Sequence, residues 1–347
     1  MLGFSVYLGT DLTGQDYDYL LRMRNAGFSS VFTSLQIPED DQKKVLPRLA
    51  QLTQWCRDLG LKVTADVSAA GLAQLDIQLS DLDRVAALQL DGLRLDGGVS
   101  MTLTAKLSHR WPIALNASTL TREQVVELQE EHADFEHLIA WHNYYPRPET
   151  GLDKHWLREK DHWLHHLHFK TAAFVSGDGK KRGPLFCGLP TLEEQRYLNP
   201  LASCLDLKKQ GIDHAYIGDP RLSAETIEKF ETYLQDQTIL LHLDRPVPEL
   251  CEHLWHNRVD LARDVIRLAE GRQRQLFDTA PAAHFSERVA GSVTVDNRYY
   301  ARYAGELQIT RRDLPIDDKV NILAKVVPED LPLLKAIGSN QCIRFSV

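Results

Sequence analysis

L-I-A-W-H-N-Y-Y-P-R-P-E-T-G-L-D-K-H-W-L-R-E-K-D-H-W-L-H-H (138–166) contains one whole unit of the fold. Leu138–Trp141 is a short apolar run of the length a buried strand needs. Asp153 ends the following loop as a helix opener, and the stretch from there to His166 is amphipathic at helical spacing. Buried strand, polar loop and helix make one strand–helix unit of a parallel sheet. The unit recurs on both sides. Downstream come His168–Val175 with the helix Leu198–Gln210, and His214–Ile217 with Ser223–Leu234. Upstream, Pro112–Asn116 precedes Arg122–Glu131, where Thr121 and Gln124 have the spacing of a capping box. Before these stand Gly3–Leu8 with Asp16–Asn25, Ser29–Ser34 with Asp41–Leu59, Leu61–Val67 with Asp81–Leu88, and Gly92–Leu95 with Thr102–His109. Gly27 and Gly60 stop the first two helices. Eight units point to an α/β fold, a (β/α)8 TIM barrel over residues 1–236. A doubly wound open sheet is the alternative, but no G-x-G-x-x-G follows the first strand.

Past Thr238 the pattern changes. Ile239–Leu243 is apolar and His256–Arg272 is charged and amphipathic. Short alternating strands follow: Gly291–Asp296, Tyr299–Tyr303, Glu306–Thr310, Lys319–Val327 and Cys342–Val347. Residues 237–347 therefore read as a small β-rich barrel domain behind the first. The 347 residues are 43% hydrophobic and 25% charged, an ordinary globular mix. A net charge of -8 argues against a general nucleic-acid binder. Five scattered cysteines without a C-x-x-C pair suggest reduced thiols and a cytoplasmic protein. M-L-G-F-S-V-Y-L-G-T-D (1–11) reads as a first core strand and not a signal peptide, and no apolar run is long enough for a membrane span.

In a TIM barrel the chemistry sits at the C-terminal strand ends. Those ends read Asp11, Ser34, Asp66, Asp96, Asn116, Asn143 with Glu149, Ser176 with Asp178, and Asp219. The set describes an acidic, hydrogen-bonding pocket. The densest part is the sixth loop, where Pro146 and Pro148 stiffen the chain around Arg147 beside His142, Asn143, Tyr144, Tyr145 and Glu149. Rigidly held polar groups there suit a polar, anionic small molecule.

Several stretches resemble the bacterial 6-phospho-N-acetylmuramidase family. They are G-F-S-V-Y-L-G (3–9), F-T-S-L-Q-I-P-E-D-D (32–41), L-R-L-D (93–96), L-N-A-S-T (115–119), H-N-Y-Y-P-R-P-E-T-G-L (142–152), R-G-P-L-F-C-G-L-P-T-L-E (182–193), I-G-D-P (217–220) and V-D-N-R-Y-Y-A-R-Y-A-G-E-L-Q-I (295–309). The resemblance implies a TIM-barrel glycosidase with a cyclophilin-like C-terminal domain. It implies cleavage of the β-1,4 bond of MurNAc 6-phosphate–GlcNAc in cytoplasmic cell-wall recycling; no cofactor and no metal are expected. Two departures stand out: Gly97-Gly98 where a bulkier residue is expected, and Ala69 where a proline is expected after Ser68.

Glycoside hydrolysis generally takes two carboxyl groups about the scissile bond. Asp66 and Asp96 end neighbouring strands and Glu149 reaches over from the sixth loop, so two of these three form the pair. Glu149 is the better acid candidate through its aromatic neighbours, with nearby Arg147 opposing. Assistance by the substrate's acetamido group stays open. For a 6-phosphate the candidates are Arg147, Arg182 in S-G-D-G-K-K-R-G-P (176–184), and the start of the Ser223 helix; Lys180 and Lys181 read as a solvated loop tip. Asp11, Asn116, His142, Asn143, Tyr145 and Asp219 complete the barrel's substrate-binding candidates. In the second domain, Asp296-Asn297 reads as a hairpin turn that places Tyr300 and Arg302 on one strand face, for a sugar ring and a lactyl carboxylate; the alternative pairs Arg302 with Glu306. His162, His165, His166 and His168 read as packing or surface, and Cys187 as a structural thiol. A sugar-phosphate isomerase or aldolase would need a Schiff-base lysine, for which Lys170 is the candidate. A non-catalytic sugar-phosphate binder is the third reading.

Overall fold

The structure, a computed structural model, describes residues 1–37 and 41–347. Part of the F-T-S-L-Q-I-P-E-D-D stretch (32–41) therefore lies outside the described residues. Two compact units emerge, Met1–Ile227 and Glu228–Val347.

The first is a closed barrel of eight parallel strands in sequence order. Its elements are β1 (Leu2–Ser5), α1 (Gly14–Asn25), β2 (Ser30–Ser34), α2 (Gln42–Asp58), β3 (Lys62–Val67), α3 (Ala69–Ala73), α4 (Leu82–Ala87), β4 (Gly92–Leu95), α5 (Met101–Ser108), β5 (Ile113–Asn116), α6 (Arg122–Glu130), β6 (Leu138–Trp141), α7 (Lys154–His166), β7 (Lys170–Val175), α8 (Pro200–Gln210) and β8 (His214–Ile217), and α9 (Ala224–Asp236) spans the boundary between the units. The Thr121–Gln124 capping box forms, and the Asp153 carboxylate caps α7 through the Trp156 N–H at 2.9 Å. α3 has no counterpart in the sequence reading. It is a single turn opened by Ser68, whose Oγ accepts from the Gly71 N–H at 3.0 Å. Ala69 is its first residue, a position proline also tolerates, so that departure keeps the local backbone. Gly97 and Gly98 both have positive φ, 37° and 75°. Glycine there serves a turn that side chains resist.

Phe32, Ala114, Trp141, Ala172, Phe174 and Tyr216 fill the barrel interior, with Tyr7, Ile139 and Tyr144 packed against them. Trp141 and Phe174 stack with centroids 5.3 Å apart. This aromatic plug is the floor on which the strand-end polar groups stand.

The second unit holds a three-stranded and a four-stranded sheet. The first pairs β10 (Leu254–His256), β15 (Cys342–Ser346) and β9 (Ile239–His242). The second runs β11 (Val265–Leu268), β13 (Leu307–Thr310), β12 (Ser292–Asp296), β14 (Val320–Lys325). It also holds two short helical turns, α10 (Pro248–Cys251) and α11 (Gly271–Arg274), and a 3-10 helix at Pro328–Lys335. The expected strand Tyr299–Tyr303 is instead part of a 3-10 turn, Arg298–Tyr303. The Asn297 side chain accepts from the Tyr299 N–H at 3.0 Å, and this cap diverts the chain from the sheet. The amphipathic stretch 256–272 resolves into the end of β10, then β11 and the start of α11. Among the described residues, no helix is long and apolar enough to cross a membrane.

Candidate active site

Register creates the first part of the site. Asp66 and Arg94 are cross-strand partners on β3 and β4, so both side chains point into the barrel mouth. Arg94 Nη1 donates to Asp66 Oδ1 at 2.7 Å, and both groups are buried. Its Nη2 donates to the Asn143 side-chain oxygen, tying β4 to the end of β6. Gln36, two residues past β2, donates through Nε2 to Asp66 Oδ2 at 2.6 Å and to Asp96 Oδ2 at 3.3 Å. One amide nitrogen thus bridges two carboxylates. Their nearest oxygens can be no further apart than those two contacts laid end to end. Asp96 also lines a cavity of about 140 Å³ with Gly97, Gly98, Asn116 and Thr119.

Arg182 forms the second part. Its Nη1 donates to the Tyr144 hydroxyl at 2.7 Å, and its guanidinium lies 4.4 Å over the Tyr7 ring. Tyr7 is held in turn by donating to the Gly218 carbonyl at 2.6 Å. Burial drives the Tyr7 and Tyr144 phenols upward in pKa. For Arg182, burial works against the charge, but the two tyrosine oxygens outweigh it and the net shift is upward. The result is a half-buried, permanently charged fork at the mouth.

The sixth loop sits differently from the expectation. Arg147 and Glu149 are exposed. The aromatic enclosure expected for Glu149 is absent, since Tyr144 and Tyr145 are half-buried while Glu149 faces solvent. What the loop uses is backbone. The N–H groups of Glu149 and Gly151 donate to the Glu193 carboxylate at 2.9 and 2.7 Å, and Arg196 grips the carbonyls of Tyr145 and Arg147. Arg196 hydrogen bonds to Glu193, outweighing burial together with those backbone donors, and hold its carboxyl down at about 2. Glu149 has φ 73°, an uncommon backbone for a non-glycine residue. His142 is wholly buried, with Nε2 2.9 Å from Asp161 Oδ1 and Nδ1 3.2 Å from Ser118 Oγ. It is corrected from a ligand-touching residue to an internal one, because both ring nitrogens face protein.

Several other strand-end candidates serve the frame. Asp11 is exposed and paired to Arg48 at 2.8 Å, the bond that most lowers its pKa. Asn116 accepts from the Ser118 N–H at 3.1 Å. Asp219 is fully buried and takes the N–H groups of Gly177, Leu189 and Arg182 at 2.9, 3.2 and 3.2 Å. The Ser223 helix start, expected to receive phosphate, already holds a carboxylate. Asp178 accepts from the Ser223 N–H at 2.9 Å, from its hydroxyl at 2.8 Å and from Thr226 Oγ1 at 2.6 Å. Lys181 turns inward to the Gly177 carbonyl, lying 3.7 Å from Asp219, so it is no solvated tip. Cys187 is half-buried and only weakly held, its thiol donating to the Leu185 carbonyl at 3.1 Å. Lys170 is exposed at the start of β7, the end opposite the mouth, which removes the Schiff-base candidate. His165 meets Asp213 at 3.1 Å and His166 meets the His162 carbonyl at 2.7 Å. In the second unit the 3-10 turn cancels the shared strand face. Tyr300 donates to Asp317 at 2.7 Å and Arg302 lies on Tyr303. Glu306 takes Arg267 at 2.5 Å, so the pairing with Arg302 is replaced as well.

Sequence reasoning passed over Gln36, Arg94, Tyr7, Ser118 and Asp161. Arg94 carried a usable signal: a charge two residues before Asp96, inside a buried strand, needs an anion beside it. Gln36 carried none, since a glutamine after a strand reads as loop.

The sequence model of a family described as 6-phospho-N-acetylmuramidase, N-terminal, matches residues 2–232, and that described as 6-phospho-N-acetylmuramidase, C-terminal, matches residues 242–346. No curated protein matches. A crystal structure of a conserved Enterococcus faecalis protein of unknown function is 37% identical with a TM-score of 0.92, covering 100% of this chain and 96% of that one. An uncharacterized B. cereus protein is 27% identical with a TM-score of 0.75, covering 100% of this chain and 99% of that one.

Proposed function

We propose, for a chain that belongs to the 6-phospho-N-acetylmuramidase family, that it is a glycosidase cleaving the β-1,4 bond of MurNAc 6-phosphate–GlcNAc in cytoplasmic peptidoglycan recycling. The observation that carries this reading is the Asp66–Gln36–Asp96 bridge at the barrel mouth. Two carboxylates held by one amide, beside an immobilised arginine, supply both halves of the task. Asp66, paired to Arg94, acts as the anion at the sugar's anomeric carbon. Asp96, whose side-chain partner is the Gln36 amide, delivers the proton to the leaving oxygen and later takes one from water. A bridge through one amide keeps the two carboxylates close, and this reading assigns them the close spacing of a retaining pair. Glu149, outside the enclosed region, is assigned neither step.

Arg182 is the phosphate ligand in this reading. Stacking on Tyr7 and the bond to Tyr144 orient its fork before substrate arrives, so little ordering entropy remains to be lost. Arg147, at the exposed loop, is a second cation for the same group. The side-chain oxygens of Asn143 and Asn116 are taken by Arg94 and Ser118, and their amide NH2 groups donate to sugar hydroxyls. The test is a turnover screen of the phosphorylated disaccharide against its dephosphorylated form and against a GlcNAc 6-phosphate-terminated one. Cleavage confined to the phosphorylated sugars is expected. Equal rates on the dephosphorylated form would remove Arg182 from its role, and no cleavage of any of them would remove the glycosidase reading.

A further inference from the structure

His142 and Asp161 are sealed together in the barrel wall, with Nε2 2.9 Å from Oδ1. A carboxylate can only accept, so in the neutral ring Nε2 carries the proton and Nδ1 is a bare lone pair. Among the described residues the other Asp161 oxygen has no hydrogen-bond partner, so nothing competes with His142 for that carboxylate. Ser118 Oγ, 3.2 Å from Nδ1, must therefore donate to it. With its proton committed, the Ser118 oxygen can only accept from the Tyr145 hydroxyl at 3.5 Å, the outer limit of a hydrogen bond. Each bond fixes the direction of the next. The Tyr145 oxygen ends with lone pairs and no proton to offer a ligand.

The array has the residue types of a nucleophilic triad but not the surroundings. The N–H of Ser118 goes to Asn116 Oδ1, those of Thr119 and Leu120 to the Asn116 carbonyl, and that of Ala117 to Trp141. None is left to stabilise an oxyanion at the serine. Orientation is what remains. Tyr145 is well placed for it: its N–H donates to the Pro190 carbonyl at 2.9 Å and its own carbonyl accepts from Arg196 at 2.9 Å, just past Asn143 and Tyr144.

We propose that Asp161, His142 and Ser118 are positioning residues that hold the Tyr145 hydroxyl as a fixed hydrogen-bond acceptor for an O–H or N–H group of the bound sugar. The inference rests on the glycosidase reading for its ligand, but not for its chain of protons. Asp161→Asn puts a donor opposite Nε2, which favours the other tautomer and reverses the chain.

Long-range 1H–15N spectra of the histidine-labelled full chain read the tautomer, with His142 assigned from a His142→Gln spectrum. The Nε2–H form is expected in the wild type and the Nδ1–H form in Asp161→Asn. Kinetics on the phosphorylated disaccharide then test the consequence. Tyr145→Phe in the wild type is expected to lower kcat/KM roughly 3- to 10-fold, mostly through KM. The same change in Asp161→Asn, or in Ser118→Ala if the former fails to fold, is expected to cost less than about 2-fold. Fully additive losses overturn the proposal. Replacing Tyr145 acceptance by a substrate lacking the 2-acetamido N–H separates the amide donor from a hydroxyl donor: loss of the Tyr145→Phe effect assigns the amide, its persistence the hydroxyl, and both support the chain. A wild type inert on every disaccharide counts against the functional reading alone. The spectrum then decides, with Nε2–H supporting the chain and an Nδ1–H or doubly protonated ring overturning it.

Discussion

Both sides of the barrel mouth carry aspartates at strand ends, and the two sets are held by different kinds of donor. Beside β3 and β4, Asp66 and Asp96 meet side chains, Arg94 and Gln36. Beside β7 and β8, Asp219 and Asp178 meet mostly backbone N–H groups and helix-cap hydroxyls. A backbone donor cannot swing away without moving the chain, so the second set ties loops down. A side-chain donor can be exchanged for a ligand, so in the proposed reading the first set is the one given to chemistry. Residue type and position along the strand do not separate these roles. The kind of donor does.

Substitutions on each side break or sharpen this contrast. Asp96→Asn is expected to lower kcat by about 10²–10⁴-fold while leaving Tm within a few degrees, measured by single-turnover kinetics and thermal melting. A variant with retained turnover would move the acid elsewhere. Asp219→Ala should act through the fold: three backbone N–H groups, two of them buried, lose their acceptor at an expected cost of about 2–4 kcal/mol in denaturant unfolding. An unchanged midpoint would contradict its assignment to the frame. Arg182→Lys keeps the charge but loses the fork and the stacking, so kcat/KM on the phosphorylated substrate should fall about 10–100-fold with little change on the dephosphorylated one. Asp178→Ala removes a helix cap and is expected to cost about 1 kcal/mol without touching kcat.

The smallest effect is a pH dependence. Glu193, another carboxylate given to the frame, has its pKa depressed from 4.5 to about 2. A depressed carboxyl contributes its stability fully above the unfolded value and loses it as pH falls through the folded one. Protease nicking of the 146–151 loop should therefore stay slow at pH 5 and accelerate only between about pH 4.5 and 2. Acceleration already at pH 6 would point to a different anchor.

The sequence made the barrel legible because each strand is a short apolar run followed by a cap that physical chemistry requires, as at Thr121 and Asp153. The polar strand ends were legible as a set. Their division into side-chain-held and backbone-held groups was not, because it depends on which donors the closed barrel brings across from distant segments. Asp66 meets Gln36 from 30 residues away, and Asp219 meets Gly177 from 42 residues away. The sixth loop drew attention for its density of polar residues, yet what Glu193 and Arg196 hold is its backbone, at Tyr145, Arg147, Glu149 and Gly151. Tyr300 and Arg302 misled for a local reason: alternation suggested a strand where the Asn297 cap starts a 3-10 turn.

The pairing of Asp66 with Asp96 is tested most directly by the anomer first released. Time-resolved proton NMR of MurNAc 6-phosphate formed from the β-1,4-linked disaccharide, read before mutarotation, distinguishes the two outcomes. A β anomer first is predicted, because the two carboxylates bridged by one amide are assigned the close spacing of a retaining pair. An α anomer first would contradict the pair and require a more distant partner, with Glu149 next in line.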